Sequence, residues 1–120
     1  KINNLDIFSS LNDCLDLSYG EYKLINLNLS NCGDKGLSVG EKSFLVLNKI
    51  KVDKANTGIA VKDSSKATIE YLDIANTTKC IHVYRKKQEF SGAIVNLKFV
   101  KCHDGKIEKQ AGSFINRDTL

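Results

Sequence analysis

Acidic and basic side chains recur at a constant spacing in the middle of the chain. Glu41, Asp63 and Arg85 are separated by steps of 22 residues, and Lys62 and Tyr84 directly precede the last two. If this period places them on neighbouring turns of the chain, the backbones of Glu41 and Asp63 lie about 4.8 Å apart. Two carboxylates at that distance can share a proton, hold a calcium ion or act together in a retaining glycosidase.

The same column of residues permits three interpretations. In the first, Glu41 and Asp63 are catalytic, and Arg85 or Lys62 stabilises negative charge in a lyase or epimerase acting on a polysaccharide. In the second, the column binds a sugar chain without reacting with it. In the third, it is a ladder of ion pairs in which Arg85 neutralises Asp63 and Lys62 covers Glu41. The residues alone leave all three open.

Two series of short apolar triplets must position these side chains. The first series begins at residues 14, 36, 58 and 80, and the second, which starts with Leu5-Asp6-Ile7, continues in steps of 22, 23, 22 and 25 residues. Three inserted residues within 85–92 account for the longer last step. A third strand in each period is expected around Ile25, Leu47, Ile69 and Ile94 or Val95. Repeats of this kind are typical of a solenoid of stacked parallel strands.

We therefore predict an all-β fold, a parallel β-helix with 22-residue coils and about four and a half coils. The residues expected to face inward are Leu15, Leu17, Leu37, Val39, Ile59, Val61, Ile81 and Val83 on one wall, and Leu27, Leu29, Ile50, Val52, Leu72, Ile74, Leu97 and Phe99 on the other. Left-handed corners are expected at Asn31, Gly33, Asp34, Asn56, Gly58, Asn76 and Gly105.

The outward side chains of the first series form the predicted ligand-binding groove. Its members are Asp16, Glu41, Lys62, Asp63, His82, Tyr84 and Arg85. Residues 80–120 hold eight Lys and Arg against four Asp and Glu, which favours an acidic partner such as a polysaccharide or surface glycan. Tyr19, Tyr84 and Phe90 are the candidate platforms for sugar rings. Because no aromatic residues are expected among the basic ones on the strand faces, nucleic acid is not an expected partner.

The four cysteines are expected to be free thiols. Cys14 and Cys80 fall in one repeat column, roughly 14 Å apart, which is too far for a disulfide. Cys32 and Cys102 are assigned to a second column, and Cys80 with Cys102 is the one pair that the geometry allows. Cys80, His82, Cys102 and His103 are weak candidates for a zinc site, since their spacing fits no standard motif. No cofactor is expected, although the carboxylate pair would allow calcium.

The repeat also sets the expected domain limits. Residues 1–105 are predicted to be the solenoid segment, which begins in mid-coil and so belongs to a longer protein, and residues 106–120 a frayed last coil or a cap. Exposed edge strands at the open ends would allow self-association. No apolar run reaches the roughly 18–20 residues that span a bilayer, so membrane insertion is not expected.

The chain resembles the right-handed parallel β-helix of the pectate-lyase-like superfamily. Residues 33–41, GDKGLSVGE, and 58–65, GIAVKDSS, resemble repeats of bacterial surface and polysaccharide-associated proteins, including those beside CotH-type domains. The resemblance implies a right-handed coil and proteins that bind, cleave or epimerise polysaccharides. It also implies that the enzymes of this superfamily have more coils than this chain and long loops beside the groove. In this chain only residues 85–92 depart from the period.

From the residues and this resemblance together, we predict a noncatalytic structural or carbohydrate-binding module of a bacterial surface or envelope protein. The first alternative is a polysaccharide lyase, epimerase or glycoside hydrolase that uses Glu41, Asp63 and Arg85. The second alternative is a scaffold that assembles with further copies of itself.

Overall fold

A computed structural model describes residues 1–117, which form a parallel β-solenoid of about five turns of about 22 residues. The strands are β1 (Ile2–Ser10), β2 (Leu15–Cys32), β3 (Lys35–Lys62), β4 (Lys66–Tyr84), β5 (Ile94–Cys102), β6 (Lys106–Lys109) and β7 (Phe114–Arg117). All of their pairings are parallel, which confirms the predicted fold class. None of the described residues belongs to a helix that could cross a membrane.

Each turn pairs with the next in the register that the period predicts. Leu5 aligns with Leu27, Leu27 with Ile50 and Ile50 with Leu72. The long strands bend through corners while they stay paired, so each coil presents three outward faces. We call them face 1 (residues 15–18, 37–40, 59–62 and 81–84), face 2 (21–25, 44–48, 66–70 and 94–98) and face 3 (26–30, 49–53, 71–75 and 99–103).

Aliphatic side chains fill the inside of the solenoid, as predicted. The largest fully buried side chains are those of Leu27, Leu37, Leu45, Leu47, Ile50, Ile59, Ile69, Leu72, Ile74, Ile81, Val39 and Val52. Such a core stabilises the stack because each apolar side chain removed from water contributes about 1.5–3 kcal/mol.

The prediction that Phe99 faces inward is wrong. Its side chain is 51% exposed. Leu97 pairs with Ile69 of the third strand series, and Cys102 pairs with Ile74, a step of 28 residues. The loop therefore inserts six residues beyond the period of 22, not three. Phe99 pairs with Tyr71 across the corner at Lys98, where the inward and outward alternation is interrupted, and so lies outside.

The corners use two columns of left-handed residues. One column contains Ser9, Asn31, Lys54 and Asn76, and the other contains Tyr19, Glu41, Lys42, Asp63 and Ser64. The predictions for Asn31 and Asn76 are confirmed. Asp34, Asn56 and the three predicted glycines do not have positive φ, and Gly112 is the one described glycine that does.

Close packing explains the glycines at two of these positions. A Cβ atom on Gly33 would overlap the carbonyl group of Leu11, and one on Gly58 would lie 2.7 Å from the carbonyl oxygen of Cys80. The chain requires glycine there for its small size, not for a left-handed backbone.

The expectation of free thiols is also wrong. Two disulfides join Cys14 to Cys32 and Cys80 to Cys102, and the described residues contain no free cysteine. The second pair is the one that the sequence geometry allows. The first pair was not predicted. The shared column of Cys32 and Cys102 is also wrong, because Cys102 aligns with Ile74 on the inner wall.

The chain after residue 105 continues the parallel pairing. In β6, Ile107 pairs with Ile81, and in β7, Ile115 pairs with Val95. A register shift between Lys79 and Ile81 accommodates Lys106, whose position interrupts the sequence repeat. The remainder of the predicted tail, residues 118–120, lies outside the described residues.

Candidate functional site

Face 1 has two outward columns that follow the 22-residue period, but they do not enclose an open groove. The first column contains Asp16, Ser38, Ala60 and His82, and the second contains Ser18, Gly40, Lys62 and Tyr84. Asp16 pairs with Ser38, and Ala60 with His82. Ser38 and Ala60 are nevertheless fully buried. Longer side chains cover this part of the face: a Cβ atom on Gly40 would lie 2.8 Å from Cε of Lys62.

Two rings extend this covering layer. The rings of His82 and Tyr84 stack with their centroids 4.1 Å apart. Burial, the largest effect, raises the pKa of the Tyr84 hydroxyl. Burial likewise lowers the pKa of His82, and the charge of Lys79 lowers it further. His82 is therefore neutral and Tyr84 protonated at neutral pH.

Two half-buried lysines, Lys35 and Lys62, lie at this face. Nζ of Lys35 lies 3.0 Å from a carboxylate oxygen of Asp34 and 3.7 Å from one of Asp13. Burial opposes the charged form of Lys35, but the hydrogen bond to Asp34 and the charges of both acids outweigh it and raise its pKa. Burial, and then the charge of Lys35, lowers the pKa of Lys62. Lys62 is thus less readily charged than an exposed lysine.

Asp63 anchors the backbone of a loop. Its side chain is fully buried at a left-handed corner. One carboxylate oxygen accepts hydrogen bonds from the backbone amides of Lys86 and Lys87, at 2.7 and 2.9 Å. The other oxygen has no hydrogen-bond partner among the described residues. Neither oxygen is open to a substrate.

Glu41 is bound to a lysine rather than to its predicted carboxylate partner. Nζ of Lys87 lies 2.8 Å from a carboxylate oxygen of Glu41. This hydrogen bond is the main reason that the pKa of Glu41 is lowered. Arg85 is exposed and forms none of the ion pairs found in residues 1–117. The structure therefore gives Glu41 and Asp63 separate partners, different from those of the predicted ladder.

The loop at 85–92 packs against the corner that contains Tyr19, Lys42 and Ser64. The Phe90 ring lies 6.4 Å from the ring of Tyr19 and 5.9 Å from Nζ of Lys42. The backbone amide of Ser91 donates to the Ser64 hydroxyl at 2.8 Å. Because Tyr19 and Phe90 pack against each other, two of the three predicted sugar platforms contribute to holding this loop in place.

The candidate zinc ligands are engaged in other bonds. Cys80 and Cys102 form a disulfide, which leaves no thiolate for a metal. Nε2 of His103 lies 2.7 Å from a carboxylate oxygen of Asp73, and His82 stacks on a tyrosine. Within residues 1–117, no three His, Cys, Asp or Glu side chains are grouped to hold a metal ion.

Face 2 carries the concave surface that the sequence did not indicate. Two adjoining cavities of about 470 and 480 Å³ share Val46 and Thr68 and extend across several coils. Asn48, Asn96 and Asn116 contribute amides to the first cavity. The outward alternation of the third strand series was the signal that could have identified this surface.

Face 3 brings lysines and aromatic rings together. Tyr71 pairs with Phe99 on the next coil, and their ring centroids lie 6.4 Å apart. Nζ of Lys49 lies 5.4 Å from the Tyr71 ring centroid, and that of Lys101 lies 5.7 Å from it. The expectation that no aromatic residues accompany the basic ones on the strand faces is wrong, because it depended on placing Phe99 in the core.

The chain matches no family model, no curated protein and no solved structure. The assignment of a parallel β-solenoid therefore comes from the structure and not from a known relative. Membership of the pectate-lyase-like superfamily and a CotH-type context remain predictions.

Proposed function

We propose that this chain is a noncatalytic module that binds a polysaccharide at a bacterial surface or envelope. The observation that carries the proposal is the bonding of Asp63, the central residue of the predicted catalytic set. A catalytic acid or base must reach the reacting proton, directly or through one water. Asp63 is fully buried and its bonded oxygen holds two loop amides.

The remaining surface supports a binding role. Parallel stacking repeats the outward side chains at intervals of about 4.8 Å along the solenoid, which suits an extended polymer. The cavities on face 2 are lined by amides that can bond to sugar hydroxyl groups. Two disulfides are typical of proteins in oxidising compartments, which supports a location outside the cytoplasm.

The test measures binding and cleavage on the same samples. The chain is titrated by calorimetry with neutral and acidic polysaccharides, with and without calcium, and each mixture is assayed for new reducing ends and unsaturated products. Binding without product supports the module. Product formation that is lost in Asp63→Asn but kept in Asp16→Asn would establish the enzyme instead. No binding to any polysaccharide would overturn the proposal, and light scattering of the same samples would detect self-assembly.

A further inference from the structure

A cluster on face 3 and at its border with face 2, where Lys98 lies, combines two rings with four ammonium groups. We call it the lysine–aromatic surface, and it consists of Lys49, Lys51, Tyr71, Lys98, Phe99 and Lys101. Phe99 is 51% exposed although it lies in the middle of a strand. Nζ of Lys98 lies 5.7 Å from the Phe99 ring centroid, so ammonium groups are close to both rings.

The lysine–aromatic surface has four lysines against two neighbouring acidic residues, Asp73 and Glu70, so it keeps an excess of positive charge. None of the ion pairs within residues 1–117 involves Lys49, Lys51, Lys98 or Lys101. Asp73 lies between Lys51 and Lys101 in the register, and one of its carboxylate oxygens lies 2.7 Å from Nε2 of His103. Contact with the Tyr71 hydroxyl raises the pKa of Lys101, which keeps this lysine charged.

We propose that the lysine–aromatic surface is a docking site for an acidic polysaccharide. The carboxylate or sulfate groups of the chain bind the lysines, and the C–H face of a sugar ring packs on Phe99 and Tyr71. This inference rests on the proposed function and locates its ligand on face 3, away from the predicted groove on face 1.

Three observations favour a polysaccharide over a single-stranded nucleic acid. The Tyr71 and Phe99 ring planes are inclined by 42°, so they cannot both stack on a pair of parallel bases. The disulfides are typical of a compartment outside the cytoplasm, where glycans are the common acidic polymers. The basic side chains of this surface are all lysines, whereas arginine, with its planar guanidinium group, is the residue of choice for recognising phosphates and nucleic acids.

The experiment compares two double variants of the full chain that lose the same charge. Lys49→Gln/Lys101→Gln alters the lysine–aromatic surface, and Lys106→Gln/Lys109→Gln alters exposed lysines of β6, which lie outside that surface and outside the face 2 cavities. Heparin, polygalacturonate, neutral dextran and oligo-dT are the probes, and calorimetry measures each Kd. We expect heparin or polygalacturonate to bind about tenfold more weakly to the face 3 variant, with less than about a twofold change for the β6 variant.

Phe99→Ala separates ring contact from charge. We expect it to weaken polysaccharide binding by about threefold to tenfold while leaving net charge unchanged. Equal losses in both double variants would overturn the inference, because they would show that only net charge matters. Tighter binding of oligo-dT than of either acidic polysaccharide would also overturn it.

The same data distinguish the two proposals. If no polysaccharide binds, the proposed function fails. If dextran or an acidic chain binds equally well to wild type, Lys49→Gln/Lys101→Gln and Phe99→Ala, the function survives and the assignment to face 3 fails. Circular dichroism of each variant establishes that the fold is retained.

Discussion

Replacing Asp63 with alanine tests whether its carboxylate is a structural anchor. In the structure this carboxylate is fully buried and accepts hydrogen bonds from the amides of Lys86 and Lys87. The variant removes both acceptor contacts from the start of the loop that follows β4. It leaves the main-chain bond from the Lys42 amide to the Asp63 carbonyl in place.

The expected loss follows from these two bonds. A hydrogen bond to a charged group contributes about 1.5–3 kcal/mol. Lys86 and Lys87 are exposed residues, so water can replace part of the bonding in the variant, and the lower end of the range applies to each bond. We expect Asp63→Ala to lower the free energy of unfolding by about 3 kcal/mol, and Asp63→Asn, which keeps one acceptor oxygen, by about half as much.

Urea unfolding followed by circular dichroism measures the change, with Asp16→Ala as the control. Asp16 is exposed, so its substitution changes the net charge equally without breaking a buried contact. Hydrogen exchange provides a local readout, because the amides of Lys86 and Lys87 should lose protection in Asp63→Ala. Unchanged unfolding and unchanged exchange at both amides would refute the anchor and reopen a catalytic role for Asp63.

Two further predictions concern a disulfide and a histidine. Cys80→Ser/Cys102→Ser should lower the free energy of unfolding by about 3 kcal/mol in urea, because the bond closes a 22-residue separation; an unchanged urea midpoint would contradict this. Burial lowers the pKa of His82 below its ordinary value of 6.5. Protonation therefore favours the unfolded state, and stability should fall as the pH drops below about 6.5. His82→Gln should reduce that slope between pH 7.5 and 5.5, whereas an equal slope in both proteins would exclude His82 as its source.

The sequence predicts the repeat well because the core imposes it. Every coil must place apolar residues at the same inward positions, so Leu37 and Ile59 occupy equivalent places on the first wall and Val52 and Ile74 on the second. Stacking parallel strands converts this periodicity directly into register. The first two outward columns could thus be predicted by counting residues.

The register after residue 85 could not be predicted in this way. A loop of unknown length separates β4 from β5, and three extra residues or six place different residues on the inner wall. The apolar triplet at 97–99 fits the wrong choice, because Phe99 looks like a core residue. That single error moved Phe99 inside, concealed the lysine–aromatic surface and put Cys102 in the column of Cys32.

The hydrogen-bond and ion-pair partners of the polar side chains could not be predicted from the sequence either. Glu41 and Asp63 share a column, as the period predicts, but the conformation of the inserted loop decides what they contact. It brings Lys87 to Glu41 and two amides to Asp63. Tertiary contacts from an irregular segment carry no periodic signal. The period therefore placed Glu41 and Asp63 in the same column correctly but did not predict the groups to which their carboxylates bond.

The column of Cys14, Gly36, Gly58 and Cys80 shows how the solenoid stays narrow. A Cβ atom on Gly58 would lie 2.7 Å from Cγ2 of Ile74, so the two walls are too close there for two ordinary side chains. In the inner coils, Gly36 and Gly58 have no side chain and so leave room for the facing side chain. In the coil of Cys80, a disulfide to Cys102 spans the same narrow space, and the two Cα atoms lie 5.9 Å apart.

The second disulfide also bears on binding. Cys102 directly follows Lys101 and ends β5, the strand that carries Phe99. A covalent bond across the core therefore restrains the strand on which the lysine–aromatic surface depends. A surface that is already ordered loses less conformational entropy when a ligand binds. Calorimetry should consequently show that Cys80→Ser/Cys102→Ser weakens a ligand held on face 3 more than one held in the second cavity of face 2, which β5 does not line.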